Sequence, residues 1–266
     1  MSTDTSPETS TETATVVRVE ERPGVLVITL DRPEARNAVD RAVSEAVAAA
    51  LDTLDTRPDL SVGVITGAGG TFCAGMDLKA FLRGERPSVP GRGFAGITET
   101  PPAKPIIAAV EGYALAGGCE IVLACDMAVA ARGARFGVPE VKRGLVAAGG
   151  GLLRLPERIP PAVAMELVLT GDFLEAQRAH DVGLVNQVVD DGSALEAALA
   201  LADRIAANGP LAVAASKRVM VESRGWPVEE RYTRQREIVE PVFASTDAKE
   251  GARAFAEKRT PVWEGR

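Results

Sequence analysis

Two acids and two glycine turns have the residue types and spacing for chemistry. Glu120 stands in Gly117-Gly-Cys-Glu120, and Glu140 in Phe136-Gly-Val-Pro-Glu140. Glu120 falls in the first turn of an expected helix, close to whatever the Gly117 N–H binds. A strand over Met127–Ala131 and a turn at Gly133 can carry the chain away and back, bringing Glu140 near. The chain has a single histidine, His180, so carboxylates are its natural general acid and base. Apolar neighbours (Leu115, Ile121, Val138, Val141) would raise their pKa values and allow proton exchange near neutrality. Taken singly, each acid has a plainer reading: a helix N-terminal Glu favoured by the dipole, or a surface Glu.

The turns matter because an exposed backbone N–H can hold a developing anion. In Thr71-Phe-Cys-Ala-Gly-Met-Asp77, Gly75 allows a sharp turn that points the Met76 N–H outward at the start of a helix. An ordinary βα turn capped by Asp77 is the competing reading. In Gly112-Tyr-Ala-Leu-Ala-Gly-Gly-Cys-Glu120, Gly117 and Gly118 open a helix and permit close approach to free N–H groups. That is oxyanion-hole geometry. A phosphate turn and a packing device are the alternatives, and no G-x-x-x-x-G-K-[ST] or G-x-G-x-x-G pattern is present. Gly149-Gly-Gly151 reads as a tight turn into a helix, for packing or for lining a pocket. His180 reads as a helix C-terminal or surface residue, Asp126 as a backbone partner, and Arg253, Lys258 and Arg259 as a solvated basic face.

The elements that must position these residues follow from periodicity. A hairpin is expected from Thr15–Glu20 and Val25–Leu30 around Arg22-Pro-Gly24. Val43, Ala46, Val47, Ala50, Leu51 and Leu54 have helical spacing behind an Asp40 N-cap. Val62–Thr66, Pro105–Val110 and Met127–Ala131 read as buried strands, and Gly117–Cys125 as a helix. This alternation is an α/β pattern. From Pro161 the chain turns helical: Ala162–Leu169, Leu174–His180, Leu195–Ala207, Leu211–Glu222, Val228–Glu240 and Thr246–Lys258, with one short strand at Val185–Val189. Arg83–Pro105 is a long loop rich in Gly, Pro and Arg, of the sort that usually serves function. The expected organisation is a tail over residues 1–14, an α/β core over 15–200 and a helical region over 201–266.

Composition sets outer limits. The 266 residues carry a net charge of −7, which argues against wrapping a nucleic-acid backbone. One histidine excludes a multi-imidazole metal site. Three cysteines, Cys73, Cys119 and Cys125, lie in apolar segments and read as buried thiols of a cytoplasmic protein. The Ser/Thr- and acid-rich start lacks the apolar stretch of a secretory signal. No apolar run approaches the roughly 20 residues of a membrane span.

Together these segments resemble the crotonase superfamily, the enoyl-CoA hydratase/isomerase family. The resemblance is carried by Asp31-Arg-Pro-Glu-Ala-Arg-Asn-Ala38, Phe72-Cys-Ala-Gly-Met-Asp-Leu78, Lys104–Glu120, Phe136–Glu140, Leu169-Thr-Gly-Asp172, Gly183-Leu-Val185 and Glu250–Arg259. It runs from about residue 16 to the end. It implies an α/β fold with a crotonase-like ββα spiral core and a C-terminal helical trimerisation region. It also implies a homotrimer or dimer of trimers, and an acyl-CoA thioester as substrate with no cofactor or metal. By matched position, Met76 and Gly117 would supply the oxyanion-hole N–H groups, and Glu120 and Glu140 the two hydratase acids. Substrate contacts would fall to Ala35, Ala38, Ala74, Asp77, Leu78, Tyr113, Leu115, Gly118 and Pro139. Phe255 and Lys258 would reach a neighbouring subunit's CoA. The implied activity is reversible syn addition of water to a trans-2-enoyl-CoA. A carnitinyl-CoA dehydratase, an isomerase or a non-catalytic acyl-CoA-binding member are the alternatives. After Glu140 the family's Leu-Gly-x-x-Pro-Gly-x-Gly-Gly-Thr is replaced by Lys142-Arg-Gly-Leu-Val-Ala-Ala-Gly-Gly-Gly-Leu152, which leaves the acyl group open.

Overall fold

Alternating apolar side chains divide the first strands between two cores. The structure, a computed structural model, describes residues 15–266, and the tail expected over 1–14 lies outside the described residues. Strand β1 (Val17–Arg22) pairs antiparallel with β2 (Gly24–Leu30). The expected partner segment, Thr15–Glu20, is displaced by two residues. The chain reverses at Pro23-Gly24, with Gly24 at φ +74°, so pairing runs right up to Arg22 opposite Val25. Only Val17 of β1 is buried, so apolar pattern could not mark its end. Along β2, Leu26, Ile28 and Leu30 enter one core while Val25 and Val27 enter the other, the period-2 signature of a sheet covered on both faces.

The next elements extend this sheet. Helix α1 (Arg41–Thr56) is capped by Asp40, whose carboxylate accepts the Val43 N–H at 2.9 Å. It buries Val43, Val47, Leu51 and Leu54. Strand β3 (Leu60–Gly67) is followed by the short helix α2 (Leu78–Leu82). The long Arg83–Pro105 segment holds a small hairpin, β4 (Ser88–Val89) and β5 (Gly93–Phe94), and buries Ala95, Ile97 and Thr98. Strand β6 (Ile106–Val110), strand β7 (Tyr113–Leu115) and helix α3 (Gly117–Ala124) follow, then β8 (Met127–Ala131) and β9 (Arg135–Gly137). Helices α4 (Gly151–Arg158) and α5 (Pro161–Thr170) precede β10 (Leu174–Glu175), α6 (Ala176–Asp181) and β11 (Gln187–Val189). Helices α7 (Ala194–Ala206), α8 (Pro210–Glu222), α9 (Arg231–Ala244) and α10 (Thr246–Glu257) complete the chain.

The six-stranded sheet has the order β1-β2-β3-β6-β8-β11, and every neighbouring pair after the first is parallel. A second sheet, β10-β9-β7, lies beside it. It is extended by a bridge from Cys73 to Ala114. Each turn of the chain therefore passes from the main sheet to the small sheet and then to a helix: β6, β7, α3, and again β8, β9, α4. This is the expected ββα spiral. Helix α7 covers the face of Val25, Val62, Val64, Ile107 and Val129 with Ala198, Leu199 and Ala202. A division at residue 200 would fall inside this helix.

Several expected elements shift. Leu174–His180 begins as a strand because Leu174 pairs with Phe136 across β9, and the helix starts only at Ala176. The short strand expected from Val185 starts at Gln187. Val228–Glu230 is a 3-10 turn, and the following helix continues through Pro241 to Ala244. That proline forfeits one backbone hydrogen bond without ending the helix.

Candidate active site

The Met76 turn is aimed by a single bridge. Val39 N donates to Gly75 O at 2.8 Å, and Asp77 N donates to Val39 O at 2.8 Å. The neighbours of Met76 make these bonds, so its own N–H points to the opposite side. Gly75 has φ +101° and lies so near Ala116 that a Cβ there would stand 2.8 Å from Ala116 Cβ and 3.2 Å from Gly117 N. The two turns singled out by sequence thus adjoin. Gly117 opens α3, where the helix leaves its first N–H groups without partners. Ala116, at φ +51°, is fixed by its N–H to Gly137 O at 2.8 Å. Gly118 has a packing reason as well: a Cβ there would run into Cys73 O.

Glu120 projects from the first turn of α3 and is 4% exposed. Its Oε1 accepts the Gly151 N–H at 2.9 Å. The Gly149–Gly151 turn is a cradle, since a Cβ on Gly149 would come 2.6 Å from Glu120 Oε2. Burial pushes the Glu120 carboxyl up to about 7, and the nearby Glu140 charge adds to this. The Gly151 and Gly149 N–H groups and the Arg154 charge oppose it. Glu140 follows Pro139 in a short 3-10 segment. Desolvation raises its pKa as well. Its Oε2 is buried with no protein partner, which leaves that acceptor to a bound molecule.

The remaining predicted contacts fall into three groups. Ala38, Ala74, Asp77 and Leu78 flank the Met76 turn: Ala38 O accepts from Arg32 at 2.6 Å, Ala74 N donates to Arg36 O at 3.0 Å, and Asp77 caps α2. Arg32 pairs with both Asp40 and Asp77, at 3.1 and 3.0 Å, so Asp77 has a structural part. Ala35 ends a short 3-10 turn beside them. Leu115 and Tyr113 lie on β7, with Tyr113 half exposed and edge-on to Phe173 at 6.4 Å between ring centres. Pro139 is buried. Phe255 and Lys258 stand apart: α10 packs on α9, Phe255 is exposed, and within one chain neither is placed against the acid pair. Arg259 is not part of a free basic face, because it pairs with Glu250 at 2.5 Å and Glu257 at 2.7 Å.

Three participants escaped sequence reading. Phe94 lies with its ring against the Gly117 Cα, where any Cβ would strike it. The Gly149–Gly151 turn is expected from sequence to pack or line a pocket, but nothing there ties it to Glu120, and Arg154 reads as one more charge on a helix. His180 Nδ1 donates to Val185 O, 3.1 Å away, and Asp126 accepts the Ile106 N–H at 2.8 Å. All three thiols are buried and free, and burial pushes each up to about 12. Among the described residues no helix is long and apolar enough to cross a membrane.

Known proteins resemble this chain in sequence and fold. The family model for enoyl-CoA hydratase/isomerase matches residues 20–266. Enoyl-CoA hydratase EchA19 of Mycobacterium tuberculosis is 44% identical over 93% of this chain and 96% of its own length. The carnitinyl-CoA dehydratase of Salmonella typhi is 47% identical over 91% of this chain and 95% of its own length. The crystal structure of enoyl-CoA hydratase EchA1 from Mycobacterium marinum superposes with a TM-score of 0.93 at 64% identity, covering 95% of this chain and all (100%) of that one. With the spiral fold, the paired turns and both acids in place, the chain belongs to the enoyl-CoA hydratase/isomerase family, of crotonase fold.

Proposed function

We propose that the chain is an enoyl-CoA hydratase, adding water reversibly and syn across a trans-2-enoyl-CoA to give the 3-hydroxyacyl-CoA. One observation carries the reading: Glu120 and Glu140 share one buried site, beside two backbone turns whose N–H groups face away from the protein's own acceptors. The Met76 and Gly117 N–H groups hold the thioester oxygen as enolate charge develops. Losing one such donor typically costs about 2.7–4 kcal/mol of barrier. One carboxylate takes a proton from water while the water oxygen bonds to C3. The other carboxyl delivers a proton to C2, and the thioester carbonyl re-forms. The conjugated thioester supplies the activation, and the coenzyme A is part of the substrate.

The relatives named for carnitinyl-CoA dehydration stand at comparable identity, so they define the competing substrate. The enoyl-thioester absorbance separates the readings: hydration of crotonyl-CoA and longer 2-enoyl-CoA esters removes it, and dehydration of carnitinyl-CoA creates it. Highest kcat/KM on an unsubstituted enoyl-CoA supports the hydratase, and highest kcat/KM on carnitinyl-CoA replaces it. No turnover of any of them, with acyl-CoA still bound, leaves a binding protein.

Assembly belongs to the same reading. Helices α8 and α9 bury no residue within one chain, and Met220, Tyr232 and Phe243 stand largely exposed. Such a surface fits subunit contacts, and a homotrimer or dimer of trimers would cover it. In that assembly Phe255 would meet a neighbour's adenine and Lys258 its phosphates. The buried thiols suit a reducing cytoplasm.

A further inference from the structure

We infer that Arg154 is a positioning residue that joins the cradle of Glu120 to the loop covering Gly117. The inference deepens the two-carboxylate reading and rests on it. Arg154 lies one turn beyond Gly150 on α4. Its N–H donates to Gly150 O at 2.9 Å, while its Nη2 donates to Thr98 O at 2.5 Å. Gly150, at φ +99°, makes room for the guanidinium, and a Cβ there would sit on Nη1. The Arg154 guanidinium is therefore packed against the turn that supplies Gly151 N–H to Glu120. At its far end, Thr98 N donates to Phe94 O at 3.2 Å, and Phe94 is the ring lying on Gly117. One side chain spans from the acid's cradle to the cover of the oxyanion helix.

Its charge also reaches Glu120. Among the described residues no carboxylate forms an ion pair with Arg154. Three titratable groups surround Glu120: Glu140 from the 3-10 segment, Arg154 from α4, and the Cys119 thiol beside it on α3. Burial keeps the thiol neutral at physiological pH. Glu140 favours the protonated form of Glu120 and Arg154 the carboxylate. A matched structural control lies on the same helix. Arg158 is also half-buried and donates to Leu123 O and Cys125 O at 3.4 and 2.8 Å, away from Glu120.

The test compares Arg154→Gln, Arg154→Lys and Arg158→Gln in the full-length protein. Two readouts are needed: crotonyl-CoA kinetics across pH, and the Glu120 carboxylate infrared band, assigned by its loss in Glu120→Gln. Arg154→Gln should move the Glu120 titration to higher pH and lower kcat by about tenfold to a hundredfold, with KM within about twofold. Arg154→Lys keeps the charge and loses the fork, so the titration should hold while kcat falls. Arg158→Gln should leave the Glu120 titration in place. An unmoved titration in folded Arg154→Gln, or an equal movement in Arg158→Gln, would overturn the inference. If Arg154→Gln does not fold, wild-type kcat in Arg154→Lys overturns it equally. Should wild-type protein hydrate no thioester, the hydratase reading fails by itself, and the infrared titration still decides the part of Arg154.

Discussion

Glu120 illustrates what burial does to a single acid. It sits in the first turn of a helix, accepts the Gly151 N–H, and still has its pKa raised from 4.5 to about 7. Desolvation therefore outweighs the donors around it. The folded protein holds this proton more tightly than the unfolded chain does. Its contribution to stability is full below the ordinary carboxylate pKa and is lost as pH rises through about 7. The rise from 4.5 to about 7 corresponds to roughly 3 kcal/mol. Urea unfolding should therefore show wild-type stability falling between pH 5 and pH 8 relative to Glu120→Gln, whose curve should be flatter. A parallel fall in both proteins would place the ionisation elsewhere. Glu120→Gln and Glu140→Gln should each fold and bind CoA esters, yet lose hydration by about a hundredfold or more, because an amide cannot exchange the proton. Full turnover in Glu140→Gln would end the two-carboxylate mechanism.

At the scale of elements, the site is a product of where helices begin. Helix α3 offers Gly117 N–H at its start, and the turn entering α4 offers Gly151 N–H to the acid on α3. Small residues at these starts let backbones approach. Gly149→Ala would place a methyl 2.6 Å from Glu120 Oε2, so the carboxylate must move. The expected outcome is a folded protein with hydration down by about tenfold to a hundredfold, measured beside the circular dichroism spectrum. Wild-type kcat in that variant would show that Glu120 tolerates displacement. Gly117→Pro removes the oxyanion donor and fixes φ, so turnover should collapse. Retained hydration in a folded Gly117→Pro protein would put the thioester oxygen elsewhere.

At the scale of the molecule, the spiral core is complete and the C-terminal helices are not. The main sheet is covered on both faces, whereas no residue of α8 or α9 is fully buried within the chain. Helices of this length draw their stability from packing, and Phe243, 78% exposed, is the clearest unpaired anchor. Phe243→Asp should lower the mass seen by light scattering from that of the assembly, and an unchanged mass would locate the contact elsewhere. Lys258 caps α10 with φ +54° and stands exposed. Lys258→Ala should raise KM for acyl-CoA more than it lowers kcat, and the defect should shrink at high salt as screening weakens the wild-type contact. Short pantetheine thioesters should show no such defect. Equal weakening of both would mean that the lysine does not see the nucleotide end.

The sequence by itself carried the repeating parts and the reactive atoms. Helix α1 was legible from its 3.6-residue apolar spacing, and the strands at Leu60–Gly67, Ile106–Val110 and Met127–Ala131 from short apolar runs bounded by turn residues. The acids and N–H turns were legible because few other residues could do such chemistry in a chain with one histidine. The small sheet was not legible, since strands of two or three residues are too short to show alternation. Nor could the sequence join Gly151 to Glu120, lay Phe94 on Gly117, or stretch Arg154 to Thr98. Those contacts use backbone donors and acceptors, which every residue carries alike, and they link segments brought together only by the turns of the spiral. Spacing named the acid and the oxyanion turns, and tertiary packing decided how each is held, shielded and charged.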